Sequence, residues 1–246
     1  MNNVADLEPC LILGCTIDPK GMKFLVRNSV ELRLEDYKKS FNKWIACSHV
    51  KKLIFVENSG YDLTYFKEKT KSVINIEIEF LSTDENNFYP RELGKGFGES
   101  IILKNVIEKS NLFKQSSSFV HISGRHYIKN YGSFLTEFKE NKTDIFLTLS
   151  NNLKFCEANI YGGSSEFLKD YVYPESKKVN DSKEVFFEHC VAKATLKAIA
   201  NDLSYGVPTT YANIEGYIGT NGKPYKSNIL KRIKLNYFGK LKKYFF

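Results

Sequence analysis

Apolar runs and amphipathic stretches alternate along the first half of the chain. Cys10 to Ile17, CLILGCTI, is a short apolar run closed by Asp18-Pro19, and it predicts a buried strand. In ELRLEDYKKSFNKWIA, Leu34, Tyr37, Phe41, Trp44 and Ile45 recur at helical spacing with charges on the other face. Leu53 to Val56 predicts a second buried strand, broken at Asn58-Ser59-Gly60, and Asp62 is placed to cap a short helix over LTYFKEKT. INIEIEFLS alternates strictly, as a half-exposed third strand does. A polar loop from Asp84 to Lys95 leads into GESIILKNVIEKS, a helix with Ile102, Leu103, Val106 and Ile107 inward. SSFVHISG predicts a fourth strand, NYGSFLTEF a short helix, TDIFLTLS a fifth strand, and Lys154 to Tyr161 a further one. SSEFLKDYV and EVFFEHCVAKATLKAIAND read as helices, and TTYANIEGYIG as extended.

Strand and helix in regular alternation predict a mainly parallel, doubly wound α/β sheet. Ligands of such sheets bind at the carboxyl ends of strands. The polar exits are Thr16-Ile17-Asp18, Glu57-Asn58-Ser59-Gly60 and Ser123-Gly124-Arg125. The 246 residues, 42% of them hydrophobic, suit one sizeable domain. There is no internal repeat or low-complexity linker, so residues 1–225 are expected to form a single domain and 226–246 a tail. The net charge is +8, but the tail, KSNILKRIKLNYFGKLKKYFF, holds no acid and most of the excess. The body is close to neutral, which argues against nucleic acid as a partner. The N-terminus shows no signal-peptide pattern, and no apolar run approaches the ~18 residues of a membrane span. Cys10, Cys15, Cys47, Cys156 and Cys190 are odd in number and lack metal-ligand spacing, as expected of unpaired thiols in a cytoplasmic protein.

Five constellations carry candidate chemistry. In VENSG, Glu57, Asn58 and Ser59 leave a strand end together; a carboxylate there can hold ribose hydroxyls and an amide can read a base edge, whereas an Asx turn with capping is the plain alternative. Arg27 and Arg33 flank the first helix and could clamp a diphosphate, or Arg33 could simply pair with Asp36 at i,i+3. GKGFGES, Gly94 to Ser100, fails as a dinucleotide loop because it follows the third strand, and fails as a Walker loop because no Gly-Lys-Ser/Thr closes it. Its glycines still imply close backbone approach or positive φ, with Lys95 and Gly96 placed for a phosphate and Glu99 in the first helical turn, a purely structural turn being the alternative. In HISGRHY, Arg125 is placed to face an anion at the strand exit, His121 reads as a core histidine on the plain alternative, and His121 and His126 lack a third partner for a metal. In FFEHC, Glu188 and His189 are candidate general bases, an exposed helix carboxylate being the alternative. Cys190 beside His189 is no thiol–base pair, since adjacent helix residues point about 100° apart. The glycines of YIGTNGKPY, Tyr217 to Tyr225, suggest a loop over a cleft.

The order of these motifs, a strand ending in FVENSG, then GKGFGES opening a helix, a strand ending in HISGR, a late Glu-His helix and a GK-Tyr loop, resembles bacterial glycosyltransferases that build lipopolysaccharide O-antigen or capsule. The likeness spans roughly Cys10 to Tyr225. It implies a GT-A-like α/β/α sandwich with a mostly parallel, Rossmann-like sheet that binds a nucleotide-sugar. It implies Thr16, Arg27, Arg33, Glu57, Asn58, Ser59, Lys95, Gly96 and Arg125 on the donor, Glu99 and Tyr225 on the acceptor, and Glu188 or His189 as catalytic base in an inverting transfer. That fold commonly holds Mg²⁺ or Mn²⁺ on an Asp-x-Asp strand end. Here that position reads Ser123-Gly124-Arg125, so no required metal cofactor is expected, with Arg125 and Lys95 doing the electrostatic work instead.

The tail then acquires a role. Ile229, Ile233, Leu235, Phe238, Leu241, Phe245 and Phe246 interleave with Lys and Arg, as in a basic amphipathic helix lying on an anionic membrane surface. A peripheral position on the inner face of the cytoplasmic membrane follows, close to a lipid-linked or oligosaccharide acceptor. Two other functions compete. A sugar nucleotidyltransferase usually has a Gly-rich loop after its first strand, where this chain has Cys15-Thr16-Ile17-Asp18-Pro19. A non-catalytic basic module binding polyanions through the tail would not need the clustered strand-end polar residues.

Overall fold

The structure is a computed structural model and describes residues 8–22, 25–219 and 221–225. The tail at 226–246, with the amphipathic helix and membrane contact expected of it, lies outside the described residues.

Apolar β1 (Cys10–Cys15) leads to α1 (Val30–Ile45), whose first turn is capped by the Ser29 hydroxyl accepting from Leu32 N–H. β2 (Lys52–Glu57), α2 (Thr64–Thr70) and β3 (Glu77–Ser82) follow, then α3 (Lys95–Lys109), α4 (Asn111–Lys114) and β4 (Ser118–Ser123). The remaining elements are β5 (Tyr127–Ile128), α5 (Tyr131–Asn141), β6 (Ile145–Phe146), β7 (Leu149–Ser150), β8 (Phe155–Cys156), β9 (Ile160–Ser164), a π-helical stretch Phe167–Val172, α6 (Tyr173–Ser176), α7 (Phe187–Ala200), β10 (Tyr205–Gly206) and β11 (Ile214–Glu215).

The main sheet has seven strands in the order β10-β6-β9-β4-β1-β2-β3. β1 is parallel to both β2 and β4, and β2 to β3, whereas β9 runs antiparallel to β4 and β6. The expected mostly parallel α/β sheet is present, with this one reversal. Side chains alternate across β1 and β4, so two cores form. Ile12 and Phe119 face α3, α6 and α7 with Ile102, Val106 and Val191, while Leu11, Leu13 and Val120 face α1, α2 and α5 with Phe41, Trp44 and Phe134.

Several expected elements differ. TDIFLTLS splits into β6 and β7, because the chain leaves the sheet after Phe146 and Leu149–Ser150 pairs with Phe155–Cys156 instead. The strand expected over Lys154 to Tyr161 becomes the end of that hairpin and the start of β9. Asp62 accepts from Thr64 N–H and its hydroxyl, but the cap residue of α2 is Leu63. α3 begins at Lys95, so Gly96 belongs to the helix as well as Gly98, where the pattern puts its start.

Candidate functional site

The strand order reverses between β1 and β4: the chain goes from β1 outward to β2 and β3, then returns to the other side of β1. The exits of these strands are sewn together by Gly124 N–H on the Gly14 carbonyl (2.8 Å) and Asn58 N–H on the Cys15 carbonyl (3.1 Å). Above them opens a cavity of about 790 Å³. It gathers Thr16, Arg33, Lys95, Gly96, Glu99, Arg125, Glu188 and Tyr225, residues from the first strand exit to the end of the described chain. A crevice at a strand-order reversal is where open α/β sheets bind ligands.

The VENSG residues do not border this cavity. Glu57 is buried and turned back on its own loop, accepting from Ile17 N–H (3.1 Å), Ser59 N–H (3.0 Å), Tyr61 N–H (2.9 Å) and the Ser59 hydroxyl. Burial pushes its carboxyl up, against the pull of these hydrogen bonds. Asn58 accepts from the Thr16 hydroxyl (2.7 Å) and donates to the Gly98 carbonyl (3.0 Å), and the Ser59 hydroxyl accepts from Asp18 N–H (3.0 Å). The expected donor-facing motif is a clasp joining the β1 exit, the β2 exit and α3.

The two arginines flanking α1 are likewise occupied. Arg27 pairs with Asp36 through Nε (2.6 Å) and Nη2 (2.7 Å) and stacks on Tyr217. The pairing expected of Arg33 with Asp36 therefore goes to Arg27. Arg33 is buried and donates to the carbonyls of Thr16 (2.7 Å) and Arg27 (3.3 Å) and to the Tyr37 hydroxyl (3.1 Å). It borders the cavity but shapes the β1 exit rather than offering a free clamp.

The glycine-rich stretch has a specific local cause. Asp181, from the loop before α7, accepts from Gly96 N–H (3.3 Å) at the start of α3. Gly94 has φ of 77°, and a Cβ there would overlap Asp181; one on Gly96 would meet Val179 at 2.9 Å. The glycines let the 179–181 loop reach the helix N-terminus, whose exposed N–H groups attract a carboxylate. The anion seated on this helix end is the protein's own. Lys95 lies beside it, with its ammonium pKa lowered by burial against the opposing pull of Glu188.

Two carboxylates then differ in environment. Glu188 is half-buried in the first turn of α7. Glu99 has 30% of its side chain exposed, but Oε2 is shut from solvent and accepts no hydrogen bond among the described residues. Burial raises the Glu99 carboxyl to about 7, Arg125 opposing this and Glu188 adding to it. His121, 3% exposed on β4, lies 3.6 Å from Glu99 Oε2. Burial lowers its imidazole to about 4, so it is neutral and the contact is no ion pair. Arg125 leaves Nη1 buried and unpaired among the described residues, with Gly219 against its guanidinium. His189 is off the cavity: its Nδ1 accepts from Phe186 N–H (3.3 Å) at the helix start, and its ring sits beside Phe155 and Phe186. Tyr225 reaches the rim, donating to Asn159 (2.8 Å) and packing on His126.

The sequence offers His121 only as a core residue and does not single out Asp181 or Tyr161. The alternation of SSFVHISG did put His121 on the same face as Ser123, which was the available signal. Nothing in the local sequence marks Asp181, whose role depends on contact with a helix 85 residues away.

No protein-family model and no curated protein matches the sequence. Among solved structures, the chain is similar to the inositol-1-phosphate CTP transferase of T. maritima at 12% identity, with 94% of this chain and 96% of that one covered and a TM-score of 0.47. It is similar to HddC of Yersinia pseudotuberculosis at 16%, covering 85% and 93% with a TM-score of 0.41. It is also similar to core-mannan synthase A of Aspergillus fumigatus in its Mn/GDP form, at 10%, covering 95% and 85% with a TM-score of 0.45. These likenesses are distant, and the fold rests on the strand order itself.

Proposed function

We propose that the protein is a glycosyltransferase that moves a sugar from a nucleotide-sugar donor to a lipid-linked or oligosaccharide acceptor, in the assembly of a bacterial surface polysaccharide. The observation that carries this reading is one cavity at the strand-order reversal in which two cationic groups, Arg125 and Lys95, stand with two carboxylates, Glu99 and Glu188. Cations suit a diphosphate, and carboxylates suit sugar hydroxyls and proton removal. The order of sequence motifs supports the same reading.

In the transfer, the Glu188 carboxylate takes the proton of the acceptor hydroxyl. The acceptor oxygen forms a bond to the anomeric carbon, and the bond from that carbon to the diphosphate breaks. The nucleoside diphosphate leaves with the electron pair, its new charge met by Arg125 and Lys95. The donor set at the β4 exit, a serine, a glycine and an arginine, does not suit a divalent cation, and the reading needs no step through one.

A thermal-shift screen with UDP-, GDP-, CMP- and dTDP-sugars, with and without EDTA, tests this. One nucleotide class is expected to raise the melting temperature equally in both buffers. Glu188→Gln is expected to keep that shift and to lose transfer about 10²–10⁴-fold. Near-normal transfer by this variant removes Glu188 from the mechanism, and strict dependence on added Mn²⁺ or Mg²⁺ removes the role given to Arg125. Release of pyrophosphate from a nucleoside triphosphate and a sugar phosphate would assign a nucleotidyltransferase instead.

A further inference from the structure

Not every polar group of the cavity has work in the proposed reaction. On its floor, Glu99 Oε2 and both ring nitrogens of His121 are buried without a hydrogen-bond partner among the described residues. Glu99 comes from the first turns of α3 and His121 from the middle of β4, so two rigid elements fix their separation of 3.6 Å. Both border the cavity. Behind them the Tyr161 ring lies 5.1 Å from the imidazole, and its hydroxyl is also unpaired among the described residues. On the facing strand stands Gly14, where a Cβ would come within 3.4 Å of Glu99 Oε2. Buried polar atoms are normally paired, so a set without protein partners at a cavity is met by water or by a ligand group.

The chemistry narrows that group. An ionised Glu99 carboxylate only accepts, a protonated one also donates, and a neutral imidazole has one N–H donor and one accepting nitrogen. A group that meets the pair in either protonation state of Glu99 both donates and accepts from one atom, as an alcohol does. A phosphate or carbonyl oxygen brings only acceptors and leaves an ionised Glu99 facing another acceptor. An ammonium brings only donors and leaves the imidazole N–H unmet. We propose that Glu99 and His121 form a hydroxyl-reading subsite on the cavity floor, which takes one alcohol of the donor's sugar, donating to Glu99 and accepting from His121. The inference rests on the nucleotide-sugar reading and adds to it the residues that select the sugar.

The competing account is a purely structural pair, in which His121 and Glu99 close to a direct hydrogen bond and see no ligand. Isothermal titration separates the two. UDP, GDP and dTDP are titrated into the full-length protein, followed by their hexose conjugates and the matching deoxyhexose conjugates. The readout is the ratio of conjugate affinity to free diphosphate affinity for whichever nucleotide binds. In Glu99→Gln and His121→Phe the ratio for the hexose is expected to fall about tenfold or more while the free diphosphate binds as before. His121→Asn keeps an N–H and is expected to recover part of it. One deoxyhexose conjugate should bind the wild type as weakly as the hexose conjugate binds the variants.

An unchanged ratio in both variants overturns the subsite, as does equal loss for diphosphate and conjugate, which marks a packing role. If the wild type binds none of these nucleotides, the proposed function itself fails, and this inference fails with it. Should His121→Phe not fold, Glu99→Gln and the deoxyhexose series decide the matter alone.

Discussion

Which side chains act is decided by what each has left to bond. Thr16, Arg33, Glu57, Asn58 and Ser59 were legible as polar residues at strand exits. Their engagement with one another was not, because it depends on two loops about 40 residues apart meeting at the β1 and β2 ends. Arg125 differs: it borders the cavity and keeps a buried nitrogen unpaired among the described residues. Arg125→Met should weaken binding of the cognate nucleoside diphosphate by about 10- to 100-fold, the range of a charge-assisted hydrogen bond, with Arg125→Lys in between, as read by isothermal titration. Glu99 makes a stability prediction. Its carboxyl is raised in the folded state to about 7 from an ordinary 4.5, so the folded protein holds a proton that the unfolded chain gives up. The stability tied to that proton is complete below about 4.5 and is lost as pH rises through 7. Glu99→Gln cannot ionise, so its advantage over wild type should grow between pH 5 and pH 8, by on the order of 2 kcal/mol in urea denaturation. Equal pH dependence in the two proteins would show that Glu99 is not held protonated.

At the scale of elements, the long periodic segments were legible and the short ones were not. β1, α1, β2, α3 and β4 carry enough apolar positions to declare their period, and all appear close to where the pattern puts them. β6, β7, β8 and β10 have two residues each, too few to show alternation, and their pairing is set by neighbours elsewhere in the fold. GKGFGES shows how local and tertiary causes divide. Three glycines within five residues read as a loop, yet two of them are helical and serve different ends. At Gly94 the positive φ and the closeness of Asp181 both exclude a side chain. At Gly98 the nearest atoms to an added Cβ lie at 3.4 Å or beyond, an ordinary contact. Gly94→Ala should therefore destabilise by about 1–3 kcal/mol, whereas Gly98→Ala should be neutral or stabilise by up to about 1 kcal/mol through helix propensity. Chemical denaturation of both variants checks this, and a costly Gly98→Ala would mean that close backbone approach is needed there too.

For the whole molecule, the strand order makes the site, and it also buries two imidazoles beneath it. His121 stands on β4, and His126 follows the same strand exit. His126 Nε2 donates to the Tyr217 carbonyl (3.1 Å), its own carbonyl accepts from Trp44 Nε1 and the Ser40 hydroxyl (both 2.8 Å), and Tyr225 covers its ring. Burial, aided by the neighbouring Arg125 charge, lowers His126 to about 3, and burial lowers His121 to about 4. Both are neutral in the folded protein at pH values where the unfolded chain, with an ordinary 6.5, takes up a proton. The stability they hold is complete above about 6.5 and is lost as pH falls toward their folded values. At pH 5 each histidine should cost about 2 kcal/mol relative to neutral pH. Glu99 works in the opposite sense over part of this window, so the wild-type loss is a difference, and a variant is needed to isolate one group. His126→Gln keeps a donor for the Tyr217 carbonyl but has no titration. Its urea midpoint should fall less than that of the wild type between pH 7.5 and pH 5, by the equivalent of about 2 kcal/mol. An identical fall in the two proteins would mean that the imidazole is not buried neutral against Tyr217 and Tyr225. The packing that holds Arg125 toward the cavity would then have to be drawn differently.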